Sequence, residues 1–98
     1  MNVRTAQPAS DELAEAVRWC ERQRPGLGGD LLDAVATSFS QIESSPELGS
    51  PVSPDGLTRR VLVSRFPYQI VYRLRAAEIV VVAVAHLKRR PRHWIDRT

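Results

Sequence analysis

The sequence predicts an α+β fold, in which a helical hairpin packs on one face of a small twisted, mostly antiparallel sheet. Two segments in the first half carry apolar residues at helical spacing, and a Gly-rich turn joins them. Three segments in the second half alternate or are apolar throughout, as strands do. The order β-α-α-β-β-β, with a short C-terminal helical turn, indicates one domain over residues 1–98.

The first strand is short and the first helix follows it closely. Val3–Gln7 alternates weakly, and Pro8 limits the strand because proline has no N–H to donate. Ser10 is a suitable N-cap, and two carboxylates follow it in the first turn. The apolar stripe of the helix consists of Leu13, Val17 and Cys20. We expect Cys20 to be buried, and Trp19 to pack where the helix meets the sheet.

The second helix completes the hairpin. The first helix is expected to stop near Arg24, since Pro25–Gly29 is rich in helix breakers. A second helix is predicted over Asp30–Ser44, and Pro46 ends it. Its apolar stripe consists of Leu32, Val35, Phe39 and Ile42. The two stripes need a sheet to cover them.

The sheet comes from the second half of the chain. Glu47–Gly56 is predicted to be a loop, because it contains two prolines and an Asp-Gly turn signal. Strands are predicted over Thr58–Ser64 and Tyr68–Arg75. The run Ile79–Ala85 is apolar at every position, which is typical of a central strand buried on both faces. Pro91–Asp96 is expected to form a last helical turn.

Positive charge is concentrated in the second half. Residues 1–55 contain four basic and nine acidic residues, whereas residues 56–98 contain ten basic and two acidic residues. Eight arginines of the strands and the tail form the candidate set: Arg59, Arg60, Arg65, Arg73, Arg75, Arg89, Arg90 and Arg92. Such a set is either a solvated face or a patch that binds an anion, either RNA phosphates or an acidic protein. Trp94 would either stack on a base beside this patch or pack on the core.

Composition excludes several classes of function. No apolar run approaches the length of a membrane span, and the N-terminus lacks the apolar stretch of a signal peptide. A single cysteine suits the reducing cytoplasm. Cys20, His86 and His93 are too few ligands for a structural zinc site, and no nucleotide-binding motif occurs. We therefore expect a cytoplasmic protein without membrane association, metal or cofactor.

His86 stands where the apolar strand gives way to a basic tail. A histidine there could act as a general acid or base, with its pKa depressed by the neighbouring cations. The alternative is a structural side chain that makes hydrogen bonds across the end of the sheet. The structural interpretation is favoured, because no partner carboxylate lies nearby in the sequence.

Three segments, in this order and spacing, resemble the RelE/ParE toxin superfamily of bacterial toxin–antitoxin modules, often described as plasmid stabilisation proteins. They are Glu21–Gly28, Arg65–Arg73 and Val84–Trp94. The resemblance covers almost the whole chain. It implies the fold derived above and an antitoxin partner of the ParD type or similar, a small protein with an acidic tail. We expect that antitoxin to cover the apolar helical groove and part of the Arg59–Arg73 face.

The RelE-like branch of the superfamily cleaves mRNA on the ribosome without a metal, using basic residues on two strands and after the last strand. The resemblance places the main positions of that set at Arg60, Leu62, Gln69 and Arg89, with a terminal aromatic near Ile95. Leu62 and Gln69 are not basic, so proton transfer and charge stabilisation would both lose groups. If the chain is a nuclease, its chemistry falls to Arg60, His86 and Arg89.

The ParE-like branch poisons DNA gyrase by binding and lacks the nuclease set. The Arg-Pro-Gly-Leu-Gly link and the His-x-x-Arg-Arg-Pro tail of this chain are similar to ParE-type sequences. The resemblance therefore implies a ParE-like toxin that acts on gyrase and has no catalytic residues. The alternatives are a ribosome-dependent endoribonuclease and a non-toxic binding module of the same fold.

Overall fold

A five-stranded mixed sheet forms one layer of the protein. The computed structural model describes residues 2–88, Trp94 and Arg97. The strands are β1 (Asn2–Thr5), β2 (Ser50–Pro51), β3 (Thr58–Leu62), β4 (Tyr68–Arg75) and β5 (Glu78–His86), in the spatial order β1-β5-β4-β3-β2. β1 pairs in parallel with β5, and the other pairs are antiparallel. The mostly antiparallel sheet is as the sequence predicts.

The helices α1 (Gln7–Gln23) and α2 (Leu27–Ser44) form a hairpin on one face of this sheet. Their buried side chains, among them Ala16, Leu31 and Val35, pack against Ile70 and Val81 of the sheet. Cys20 lies in the same cluster, 2% exposed, and burial raises the pKa of its thiol. The α+β class, the hairpin and the buried cysteine are thus confirmed.

Both helices begin earlier than the sequence indicates, α1 by four residues and α2 by three. α1 starts at Gln7, with Ala6 as its N-cap and no side-chain cap, so Ser10 lies inside the first turn. Pro8 is compatible with this start, because the first turn of a helix leaves its N–H groups without intrahelical acceptors. Pro8, which the sequence analysis takes as the end of a strand, therefore lies at the beginning of a helix.

The turn between the helices depends on two glycines and one glutamate. Gly26 has a φ of 92°, in the left-handed region. A Cβ on Gly28 would lie 2.9 Å from the Val17 carbonyl oxygen, so the helices meet too closely there for any side chain. The Glu21 carboxylate accepts hydrogen bonds from both glycine N–H groups, which lower its pKa. α2 starts at Leu27 because this turn is so short.

The second face of the sheet carries its own small core. Val71, Val80, Val82 and Ala83 form a buried cluster with Trp94, which is 5% exposed. β5 is therefore buried on both faces, as its all-apolar run predicts. A β-bulge between Val71 and Tyr72 places Val71 opposite Ala83 and Tyr72 opposite Val81. The predicted helical turn over Pro91–Asp96 lies outside the described residues except for Trp94.

Candidate functional site

The β3–β4 hairpin carries the arginines that the sequence singles out, and its register sorts them by face. Residues paired across strands point to the same face of a sheet, and neighbours in a strand point to opposite faces. Arg60 pairs with Val71, which lies in the cluster with Trp94, away from the helices. We call that side of the sheet the open face. Arg59 pairs with Tyr72, which lies in the helix-side core.

Arg59 binds backbone around the start of β2. Its Nε donates to the Gly56 carbonyl at 2.9 Å, and its Nη1 donates to the carbonyls of Glu47 and Gly49 at 3.0 and 2.8 Å. The side chain is only 16% exposed. Three carbonyls thus take up three of the five guanidinium donors, and Nη2 lies 3.8 Å from Glu47 Oε2. Arg59 holds the segment before β3 in place.

Tyr72 binds the same segment from inside the core. Its hydroxyl donates to the Pro46 carbonyl and accepts from the Gly49 N–H, both at 2.8 Å. The ring is completely buried, and burial raises the pKa of the hydroxyl. The predicted loop over Glu47–Gly56 is therefore pinned at Gly49, next to the two-residue strand β2. That strand is too short to show any alternation in the sequence.

Arg73 is also held by its own chain. Its Nη1 donates to Thr58 Oγ1 at 2.7 Å, and its Nη2 lies 3.0 Å from Asp55 Oδ2. Asp55 also accepts from the Ser53 hydroxyl and the Leu57 N–H. The Ser53 hydroxyl, the Leu57 N–H and Arg73 together lower the pKa of Asp55 to about 2. Asp55 is therefore ionised at neutral pH and neutralises most of the charge that Arg73 brings to the open face.

Two described arginines of the predicted set remain exposed on the open face. Arg60 donates to Gln69 Oε1 at 3.3 Å, and Leu62, opposite Gln69 in the register, is 59% exposed. Arg75 lies at the end of β4, two residues after Arg73, and is exposed. The structure therefore groups Arg60, Leu62 and Gln69 at one end of the hairpin, as the resemblance implies for the nuclease positions.

Arg65 does not join that group. Arg65, in the turn between β3 and β4, has a φ of 67° and lines a groove beside α2 with Asp30 and Asp33. Arg89, Arg90 and Arg92 lie outside the described residues. Trp94 is buried. Of its two expected roles, it therefore packs on the core, and its ring is not available to stack on a base. Of the predicted arginines that the structure describes, Arg60, Arg73 and Arg75 lie on the open face.

His86 lies on the other side of the sheet from Arg60. It pairs with Tyr68, whose ring belongs to the helix-side core, and the two rings meet edge to face at 5.2 Å. Its Nδ1 accepts a hydrogen bond from the Lys88 N–H at 3.0 Å, which orients the imidazole. The sheet itself therefore separates Arg60 from His86, two of the three residues that would carry the chemistry if the chain were a nuclease.

A groove beside α1 was missed at the sequence level. Trp19 is 47% exposed and lines a groove of about 490 Å³ together with Tyr68, Val84 and His86. Trp19 therefore lies at the edge where α1 meets the sheet, as expected, but its large exposure was not expected. The missed signal is its spacing: Trp19 is four residues after Glu15 and eight after Asp11, so it belongs to a polar stripe and not to the apolar one.

The described residues contain neither a metal cluster nor a membrane span. No group of three or more His, Cys, Asp or Glu side chains suited to a metal ion occurs among residues 2–88, 94 and 97. Within the same residues, neither helix is long and apolar enough to cross a bilayer. The features that remain are surfaces: the open face with its arginines and the groove beside α1.

Comparisons with known proteins agree with a small α+β protein of this architecture. The family model for the ParE toxin of the type II toxin–antitoxin system, parDE, matches residues 3–91. A chain from the chromosomal ParDE TA system of P. aeruginosa has the same fold, with a TM-score of 0.75 and 13% identity over 88% of this chain and 95% of that chain. No curated protein matches. The chain belongs to the ParE toxin family, which confirms the resemblance.

Proposed function

We propose that this toxin acts as ParE-like toxins do, by binding and poisoning DNA gyrase. One observation carries the proposal: the positions that the ribonuclease branch fills with basic residues are occupied here by Leu62 and Gln69. Leu62 is exposed and apolar, and the Gln69 amide accepts a hydrogen bond from Arg60. Such a surface favours docking against a protein over stabilisation of a phosphoryl transition state.

The positions of Arg60 and His86, two of the three candidate nuclease residues, also favour gyrase binding over RNA cleavage. A general acid or base must come within hydrogen-bond reach of the atoms that react. His86 points to the helix side of the sheet and Arg60 to the open face, so one RNA phosphate could not contact both. Ribosome-dependent cleavage of mRNA stays the alternative because Arg60 is exposed and basic. The further alternative is a non-toxic binding module of the same fold.

We propose further that a cognate antitoxin, ParD-like or similar, neutralises the protein in the cytoplasm. Exposed charges set the salt dependence of association more than buried ones. Arg60 and Arg75 are exposed, whereas Arg73 is paired with Asp55. The acidic segment of the antitoxin should therefore contact Arg60 and Arg75, and charge reversal at Arg73 should act mainly through folding.

The order of events after induction in growing cells tests the proposed target. A gyrase poison should trigger DNA-damage signalling before protein synthesis falls, and Leu62→Lys should weaken it. The matched control is Leu48→Lys, which changes another exposed leucine away from the open face. Translation that stops first, together with loss of toxicity in Arg60→Ala, would contradict the proposal and favour the ribonuclease. Healthy cells with a folded protein would favour the non-toxic module.

A further inference from the structure

The groove beside α1 lies next to a stretch of β5 that no described strand pairs with on the β1 side. β1 ends at Thr5, which pairs with Val81, so β5 continues past the last residue of β1. Along this continuation the Val84 N–H donates to Glu12 Oε1 at 3.1 Å instead of to a strand. The groove begins here, between this edge and α1. A groove beside a strand edge that is not paired with another strand is a common place for another chain to bind.

The protein already binds one of its own arginines at this edge. Arg97 Nη1 lies 2.9 Å from Glu12 Oε1 and donates to the Val82 carbonyl at 3.1 Å. One guanidinium thus bridges a carboxylate of α1 and a backbone carbonyl of β5. The Glu12 side chain of this pair is 11% exposed, so the contact is largely shielded from water. A fork-shaped cation therefore suits the crevice between α1 and β5.

Further carboxylates continue along the outer wall of the groove. Asp11, Glu15 and Trp19 recur every four residues and so form one stripe on α1. Asp11 accepts a hydrogen bond from the neutral Gln7 amide, and Glu15 pairs with Arg18; both carboxylates are exposed. Exposed pairs of this kind contribute little to stability and exchange readily. The wall is therefore acidic at one end and aromatic at the other.

We propose that this groove binds an extended segment of a partner protein in which an arginine stands next to an apolar residue. The guanidinium would bind Asp11 and Glu15, repeating the contact that Arg97 makes with Glu12. The apolar side chain would lie against Trp19, which lines the groove together with the apolar Ala16 and Val84. The inference rests on the groove alone and does not require gyrase to be the target.

Titration with a synthetic peptide, followed by ¹H–¹⁵N NMR, tests the inference on the full chain. The probe is the capped nonapeptide GSLRVRLSG, and its control carries glutamate in place of both arginines. The two tryptophans give an internal comparison, because Trp19 lines the groove and Trp94 is buried on the opposite face of the sheet. The arginine peptide should shift the Trp19 indole N–H signal and leave that of Trp94 in place.

Two double variants separate a specific groove from general charge attraction. Asp11→Asn with Glu15→Gln should weaken binding of the arginine peptide by about tenfold or more. Asp33→Asn with Glu43→Gln makes the same change of charge on exposed positions of α2 and should leave the affinity unchanged. Equal losses in the two double variants would overturn the proposal. So would binding of the glutamate peptide, or no shift of Trp19 at about 1 mM arginine peptide.

A third variant tests the apolar half of the groove. Trp19→Ala should weaken binding of the arginine peptide by about tenfold, measured by anisotropy of a labelled peptide. Because Trp19 is 47% exposed, this variant should keep its fold, which the signal of Trp94 reports. If the groove instead bound a second copy of the chain, wild type would sediment as a dimer and Trp19→Ala as a monomer. That result would overturn the proposal of a peptide partner.

Discussion

Two pairs of arginines on the same two strands are in different chemical situations. Arg59 and Arg73, the anchored pair, donate to carbonyls, a hydroxyl and a carboxylate of their own chain. Arg60 and Arg75, the exposed pair, lie on the open face with their guanidinium groups accessible to solvent. Sequence alone counts all four as one basic patch. The comparison teaches that part of that charge maintains the fold and that the remainder is available for a partner.

The largest expected effect comes from breaking the first member of the anchored pair. Arg59→Ala should lower the free energy of unfolding by about 3 kcal/mol, because three backbone carbonyls lose a charged donor. Urea denaturation measures the change. Arg60→Ala is the matched control on the next residue and should stay within about 0.5 kcal/mol of wild type. Similar losses in both variants would remove the distinction between the two pairs.

The next effect concerns the tyrosine that binds the same segment as Arg59. Tyr72→Phe should lower the free energy of unfolding by about 2 kcal/mol, because the buried Gly49 N–H and Pro46 carbonyl lose their partner. Phenylalanine fills the same space, so packing stays intact. The double variant with Arg59→Ala should cost less than the sum of the single variants, since both hold Gly49. Strict additivity would show that the two side chains act independently.

A smaller effect on the free energy of unfolding depends on pH and comes from Asp55, the partner of Arg73. The pKa of Asp55 is lowered to about 2 in the folded protein, so ionised Asp55 stabilises the fold. This contribution is complete above about pH 4 and is lost as the pH falls towards about 2. Asp55→Asn should therefore be less stable than wild type at neutral pH, with the difference shrinking below about pH 4. A difference that stays constant across that window would contradict the assignment.

The smallest effect on stability is expected at the exposed pair, where the effect on function should be large. Arg60→Glu with Arg75→Glu should change the free energy of unfolding by less than about 0.5 kcal/mol. The same variant should need about tenfold more protein to inhibit gyrase, and the loss should diminish as salt is raised. A folded variant of unchanged potency at low salt would show that the open face does not contact the target.

Much of the fold follows from periodicity. Apolar residues at helical spacing predicted the hairpin, and the continuous run Ile79–Ala85 predicted a central strand. The helix starts were misplaced for local reasons: Pro8 suits a first helical turn as well as the end of a strand. Gly28 serves a close contact between the helices that only the folded chain shows.

The candidate site was less predictable, because its geometry depends on contacts between distant segments. Nothing near Arg59 in the sequence indicates that Gly49 and Glu47 will take up its donors. The separation of Arg60 from His86 follows from strand register, which the alternation of β4 alone does not specify. Trp19 is different, because its four-residue spacing from Glu15 in the sequence already places it in the polar stripe of the helix.

Purified gyrase tests the central claim most directly. Relaxed plasmid, gyrase and ATP are incubated with rising amounts of the toxin, and with Arg60→Glu combined with Arg75→Glu as the matched variant. The account predicts that wild type abolishes supercoiling or accumulates cleaved plasmid, and that the variant needs more protein for the same effect. Full supercoiling at every concentration of folded wild-type protein would contradict it, and ribosome-dependent mRNA cleavage would then be the activity to measure.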